Sequence, residues 1–171
     1  MELIGIRTPI IKPGDDVVDT VLGAAGEGYI EDEDILIIAS SVISTAQNRI
    51  KKLEDVEPSK LAKELAEESG VDARFVEIII RESDKVLSPG DKCILTIKDG
   101  MLLVNAGADQ SNVPEGNVLL LPEDMDETAD ELRKKFEEKT GKRIGLILSD
   151  SHVQPLRLGT TGQALSSSGI K

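Results

Sequence analysis

The chain has 171 residues, 39% of them apolar and 30% charged, which excludes a disordered polymer and leaves enough material for a buried core. The net charge of −12 excludes a grip on long nucleic acid, although a divalent metal would still let carboxylates hold a nucleotide. Tyr29, Phe75 and Phe136 are the only aromatic residues, so the core has to be aliphatic. The single cysteine, Cys93, leaves no internal disulfide and reads as a core thiol among Ile94, Leu95 and Ile97. No apolar run approaches the roughly 20 residues of a membrane span, and the N-terminus lacks a signal-peptide pattern. The expectation is a cytoplasmic protein that contacts no membrane.

In chain order, Met1–Ile6 alternates weakly and predicts a strand. Pro9, Pro13 and Gly14 predict a loop. Asp15 and Asp16 then open a short helix with Val17, Val18, Val21 and Leu22 inward, closed by Gly26 or Gly28. The acidic stretch 31–34 reads as solvated surface. The run 34–39 (DILIIA) predicts a strand buried on both faces, followed by a serine loop. Pro58-Ser59 starts a helix through Glu68 with Leu61, Ala62, Leu65 and Ala66 on one face, and Gly70 closes it. Asp72 caps another helix through about Arg81, with Phe75, Val76, Ile79 and Ile80 inward. Strands over 92–97 and 101–105 flank Asp99-Gly100, a strong hairpin signal.

A short strand over 118–121 ends at Pro122. The helix from Asp124 to Thr140 has acids in its first turn and lysines in its last, buries Ala129, Leu132 and Phe136, and ends at Gly141. A buried strand over 144–148 runs into Asp150. Beyond it Gly159, Gly162 and Gly169 alternate with serines in a segment with no closing element, as in a fragment or a shortened protein. The fold class expected is α+β, a mixed sheet with flanking helices, as one domain over residues 1–171.

Two places could carry chemistry. Residues 105–112 (NAGADQSN) gather two asparagines, an aspartate and a serine directly after a hairpin strand. Ser149-Asp150-Ser151 follows another strand. Strand ends deliver side chains into crevices on rigid support. A carboxylate beside a hydroxyl suits Mg²⁺ or Mn²⁺, which prefer hard oxygen donors, and two carboxylates could hold metals against a phosphate. The same residue types also make turns and helix caps. There is no GxxxxGK[ST] loop, no GxGxxG fingerprint, and one histidine only, His152.

These segments resemble the F420-0:γ-glutamyl ligases over almost the whole chain. Residues 10–16 (IIKPGDD) look like the family's first nucleotide loop. Residues 34–50 (DILIIASSVISTAQNRI) are similar to its strand, serine loop and "SKAEGR" stretch. Residues 105–121 (NAGADQSNVPEGNVLLL) resemble its most specific motif, "NAGIDxSNV" followed by an apolar strand. Residues 140–150 (TGKRIGLILSD) look like "TGKxxxVIIxDT". The resemblance implies a fold particular to the family, an intertwined homodimer, and a length of which this chain is the N-terminal two-thirds. It implies a GTP-dependent ligase that joins L-glutamate to coenzyme F420-0 through an acyl phosphate. It also implies a divalent metal, with a monovalent cation as a further candidate.

By position, Asp109, Asp150 and Ser151 would be metal ligands. Asn112 would contact the guanine nucleotide. Thr8, Pro9, Ile10 and Ile11 would line the nucleotide loop, with the Ser40 and Ser41 hydroxyls nearby. Arg157 and Gly159 match the family's R-x-G. Thr45 replaces a phosphate-binding lysine, and Ser151-His152-Val153-Gln154 replaces Thr-x-Gly-Arg, so two cations are absent. Two other readings follow from those departures: a paralogue acting on another carboxylate, and a non-catalytic small-molecule or partner-binding module in which Asp109 and Asp150 are turn and cap residues.

Overall fold

The structure is a computed structural model that describes residues 2–26, 28–153 and 157–170. The fold is α+β, with parallel and antiparallel strand pairs flanked by helices. The chain divides into two compact units. One comprises Met1–Asn48, Pro122–Ser151 and Thr161–Lys171, the other Arg49–Leu121 and His152–Thr160.

In the first unit, helix α1 spans Val17–Ala25. The Asp16 carboxylate accepts from the Asp19 amide, and Gly26 ends the helix. Strand β1, Ile35–Ala39, leads directly into helix α2, Ser40–Ala46. Alternating serines do not predict a helix, but Ile43 and Ser44 are buried there, and tertiary packing outweighs weak propensity. Helix α5, Met125–Thr140, buries Met125, Ala129 and Phe136 and ends at left-handed Gly141.

Strand β7, Gly145–Val153, is longer than expected and carries Ser149, Asp150 and Ser151 within it rather than after it. It pairs in parallel with β1, Ile35 opposite Gly145 and Ala39 opposite Ser149. Strand β8, Thr160–Ser168, completes the order β1-β7-β8. The glycine-serine tail is therefore a strand. Its buried serines find polar partners on α5: the Ser166 hydroxyl donates to Asp126 at 2.6 Å, and Arg133 donates to Ser168 at 2.7 Å.

Two expectations fail in this unit. Residues 2–6 form no strand, because a strand needs a partner and none pairs with them. Met1 lies outside the described residues. Strand β1 is buried on one face only: Ile38 is buried, while Ile35 and Ile37 are 54% and 57% exposed.

The second unit pairs strand β2, Ile50–Lys52, antiparallel with β6, Asn117–Leu119. Helices α3, Lys60–Ser69, and α4, Ala73–Glu82, are capped by Ser59 and Asp72, and Gly70 closes α3 in the left-handed region. Strands β4, Cys93–Lys98, and β5, Met101–Val104, form the expected hairpin. Asp99 and Gly100 both have positive φ, 51° and 73°, matching the twist of a two-residue turn.

Strand β3, Lys85–Gly90, was not legible, because it contains Pro89 and a register shift between Val86 and Ser88. Both are tolerated because β3 lies at the edge of the order β3-β4-β5. Phe75, Val76, Ile78 and Ile79 from α4 pack with Ile94, Val118, Leu120 and Ala62 as one core. Cys93 sits half-buried at the margin of this core rather than within it. No helix among the described residues is long and apolar enough to cross a membrane.

Candidate functional site

The segment after β5 is unusual in its backbone. Asn105, Ala106 and Gly107 have φ of 54°, 53° and 72°, three consecutive left-handed residues. A non-glycine residue held there costs about 1–2 kcal/mol, so the neighbours must impose it. The Asn105 side chain accepts from the Ile94 amide at 2.8 Å, and the Thr96 hydroxyl accepts from the Ala106 amide at 3.0 Å. Gly107 lies against Leu121, where a Cβ would sit 2.5 Å from Cδ1. Position 107 therefore requires glycine for both conformation and space. Asp109 then locks into a two-way backbone pair with Leu119, at 2.9 and 2.8 Å.

The Asp109 carboxylate is itself gripped. Its Oδ2 accepts from the Ser111 hydroxyl at 2.6 Å and from the Asn112 amide at 2.8 Å. Burial pushes its pKa up, but the donors from Ser111 and Asn112 outweigh that and hold it below the ordinary carboxylate value. The group is consequently ionised at neutral pH. Asn112, expected at a nucleotide, uses its side-chain amide on Asp109.

In the first unit, Asp150 Oδ1 accepts from the Ser40 hydroxyl at 2.8 Å. Ser40 is buried at the start of α2, directly after β1, so the parallel pairing of β1 with β7 carries this contact. Ser40, expected near a nucleotide, instead holds the Asp150 carboxylate. The linking signal is register: Ala39 lies opposite Ser149, which puts Ser40 level with Asp150.

Ser151 is exposed and follows Asp150 within a regular strand. Successive strand residues point to opposite faces, so Ser151 is not the hydroxyl beside the Asp150 carboxylate; Ser40 is. Ser41 is half-buried, and its carbonyl accepts from the Thr45 hydroxyl at 2.8 Å. Thr45 thus turns its hydroxyl proton back onto its own helix.

Thr8, Pro9, Ile10 and Ile11 lie in an extended segment without regular structure. Thr8 and Ile11 help line a cavity of about 530 Å³ whose other wall is β1. Pro9 and Ile10 are exposed, and Pro9 lines a separate open pocket with Thr8. Arg157 and Gly159 are exposed. Gln154 lies outside the described residues.

The donors at Asp109 and Asp150 are hard oxygens, as Mg²⁺ and Mn²⁺ prefer. Among the described residues no three His, Cys, Asp or Glu side chains gather into a metal cage.

A family model described as F420-0:Gamma-glutamyl ligase matches residues 5–171. The chain is 40% identical over 161 residues to the coenzyme F420:L-glutamate ligase of Methanopyrus kandleri, covering 94% of this chain and 63% of that one. It is 42% identical over 163 residues to the enzyme so named from Archaeoglobus fulgidus, covering 95% and 64%. The corresponding Methanocaldococcus jannaschii protein is 39% identical over 171 residues, covering 99% and 68%. The chain therefore spans a little under two thirds of the length of the first two relatives.

Proposed function

The chain belongs to the F420-0:γ-glutamyl ligase family, and from that premise we propose that it acts in the ligation of L-glutamate to coenzyme F420-0 with consumption of GTP. The observation that carries the reading is the family match across residues 105–112, where a constrained turn delivers an ionised Asp109. The GTP γ-phosphoryl group passes to the terminal carboxylate of F420-0, and GDP leaves. The amine of glutamate then attacks the acyl carbon, loses a proton, and expels inorganic phosphate as the amide forms. A carboxylate needs this activation because its own oxygen is a poor leaving group.

The residues divide the work as follows. Asp109 offers a carboxylate oxygen to a divalent metal, and Asp150, taken by itself, offers another. Ser111 and Asn112 hold the first carboxylate in place, and Ser40 holds the second. Bound Mg²⁺ or Mn²⁺ would neutralise triphosphate charge and the charge that develops during transfer. Thr8 and Ile11 line a cavity of about 530 Å³, within the range that suits a small organic ligand. It is the proposed place for part of the nucleotide. Ser151 is left out of the metal set because it projects to the other face of β7.

A homodimer forms part of this reading. Among the described residues strand β1 is an edge of its sheet, and natural proteins seldom leave such an edge uncovered. A paralogous reaction on another carboxylate is the second reading, favoured by Thr45, whose hydroxyl is turned onto Ser41 and cannot replace a lysine at a phosphate.

The test is turnover. The protein is incubated with F420-0, L-glutamate, GTP and Mn²⁺, and the product is weighed by mass spectrometry. A deazaflavin heavier by one glutamyl residue, with one phosphate released per product, is expected. Phosphate release with other carboxylates but none with F420-0 would establish the paralogue instead.

A further inference from the structure

The three left-handed residues before Asp109 need something to impose their conformation, and the buried polar groups around them show what does. Thr96 stands at the centre of β4, where the pattern of the strand calls for an apolar side chain. It is 0% exposed. A buried hydroxyl without partners costs a few kcal/mol, so its partners define its purpose. Thr96 donates to the Leu103 carbonyl at 2.9 Å and accepts from the Ala106 amide at 3.0 Å. Leu103 is its register partner on β5, so the first bond belongs to the hairpin. The second reaches beyond the hairpin into the left-handed turn and ties down its middle residue.

We propose that Thr96 is a positioning residue whose hydroxyl holds the Asn105–Gly107 turn in its left-handed form and so sets the direction in which Asp109 is presented. The metal-binding part of this inference rests on the ligand role given to Asp109 under Proposed function. Asn105 supports the turn from its own side chain through the Ile94 amide, and Leu121 supports it from behind Gly107. Neither fixes Ala106, which has neither a glycine's freedom nor a polar side chain to hold it. When the Thr96 bond is lost, Ala106 has a reason to leave φ near 53° and no side-chain bond to return it. The Asp109–Leu119 backbone pair lies three residues on and loses its register with the turn.

The full chain is compared with Thr96→Val, which keeps the shape and removes the hydroxyl, and with Thr96→Ser, which keeps the hydroxyl. Amide hydrogen exchange is followed at Asp109 and Leu119, with Ile79 in the core as the internal reference. Thr96→Val should speed exchange at Asp109 and Leu119 at least tenfold relative to Ile79. Thr96→Ser should return it to within about threefold of the original. Equal acceleration at all three amides, or none at Asp109 and Leu119, would overturn the proposal. Mn²⁺ titration then reads the consequence: affinity should fall about tenfold in Thr96→Val, the usual scale for a group supporting a ligand, and recover in Thr96→Ser. If Asp109→Ala binds Mn²⁺ like the original protein, the ligand role fails, and the exchange ratios still decide the positioning role. If Asp109→Ala loses Mn²⁺ but Thr96→Val keeps full affinity, the ligand role stands and Thr96 is not positioning it.

Discussion

Replacing Gly107 with alanine puts two separate demands on one atom. The φ of 72° places an L-residue in the left-handed region, at a cost of about 1 kcal/mol. The added Cβ would also lie 2.5 Å from Leu121 Cδ1 and 2.6 Å from its Cγ. Leu121 is buried, so it cannot swing freely away, and forcing a methyl into a packed core costs a further 1–3 kcal/mol or so. The expected loss is roughly 2–4 kcal/mol, read as a shift in the urea midpoint at unchanged slope. Gly116 supplies the control: its φ is 80°, yet nothing lies within 4 Å of where its Cβ would be. Gly116→Ala should lose only the conformational part, about 1 kcal/mol. In a Leu121→Ala background the extra cost at position 107 should shrink toward that of Gly116→Ala, a coupling of about 1–3 kcal/mol. Equal losses at Gly107 and Gly116, or no coupling with Leu121, would refute the close-contact argument.

Two further outcomes test local parts of the fold. Asp16→Ala removes the carboxylate that accepts from the Asp19 amide at the start of α1 and should cost about 1 kcal/mol in thermal or urea unfolding. The Asp16 pKa is lowered chiefly by that bond, so its contribution is complete above the ordinary aspartate value and disappears as pH falls through the depressed one. Glu77 is buried on α4 and accepts from the Ser59 amide at 2.9 Å and from Arg81 at 2.8 Å. Its pKa is lowered first by Ser59 and then by Arg81. Glu77→Gln should cost roughly 1 kcal/mol at pH 7. The gap between the two proteins should close as pH drops below the unperturbed value of 4.5; a gap that widens in acid would contradict the assignment.

The helices with side-chain caps and glycine stops were legible because their signals are local. Asp16, Ser59, Asp72, Gly70 and Gly141 all occupy the positions their chemistry predicts. The Asp99-Gly100 hairpin was legible for the same reason. What escaped depends on partners far away in sequence. Strand β8 is a run of small polar residues whose reason to be ordered lies on α5, at Asp126 and Arg133. Residues 2–6 have strand-like alternation and no partner. At the candidate site, the importance of residues 105–112 and of Asp150 could be read directly. The bond from Ser40 to Asp150 spans 110 positions and required the pairing of β1 with β7. Thr96 left a fainter trace, a polar residue at an inward position of an apolar strand.

The most direct test of the account is calorimetric titration of GTP into the full chain, with Mn²⁺ and with a chelator. GTP should bind in the presence of Mn²⁺ and fail to bind without it. Asp109→Ala and Asp150→Ala should each abolish the metal-dependent signal while leaving the circular dichroism of the fold unchanged. GTP binding that is indifferent to Mn²⁺, or that survives in either variant, would contradict the assignment of that carboxylate to the metal.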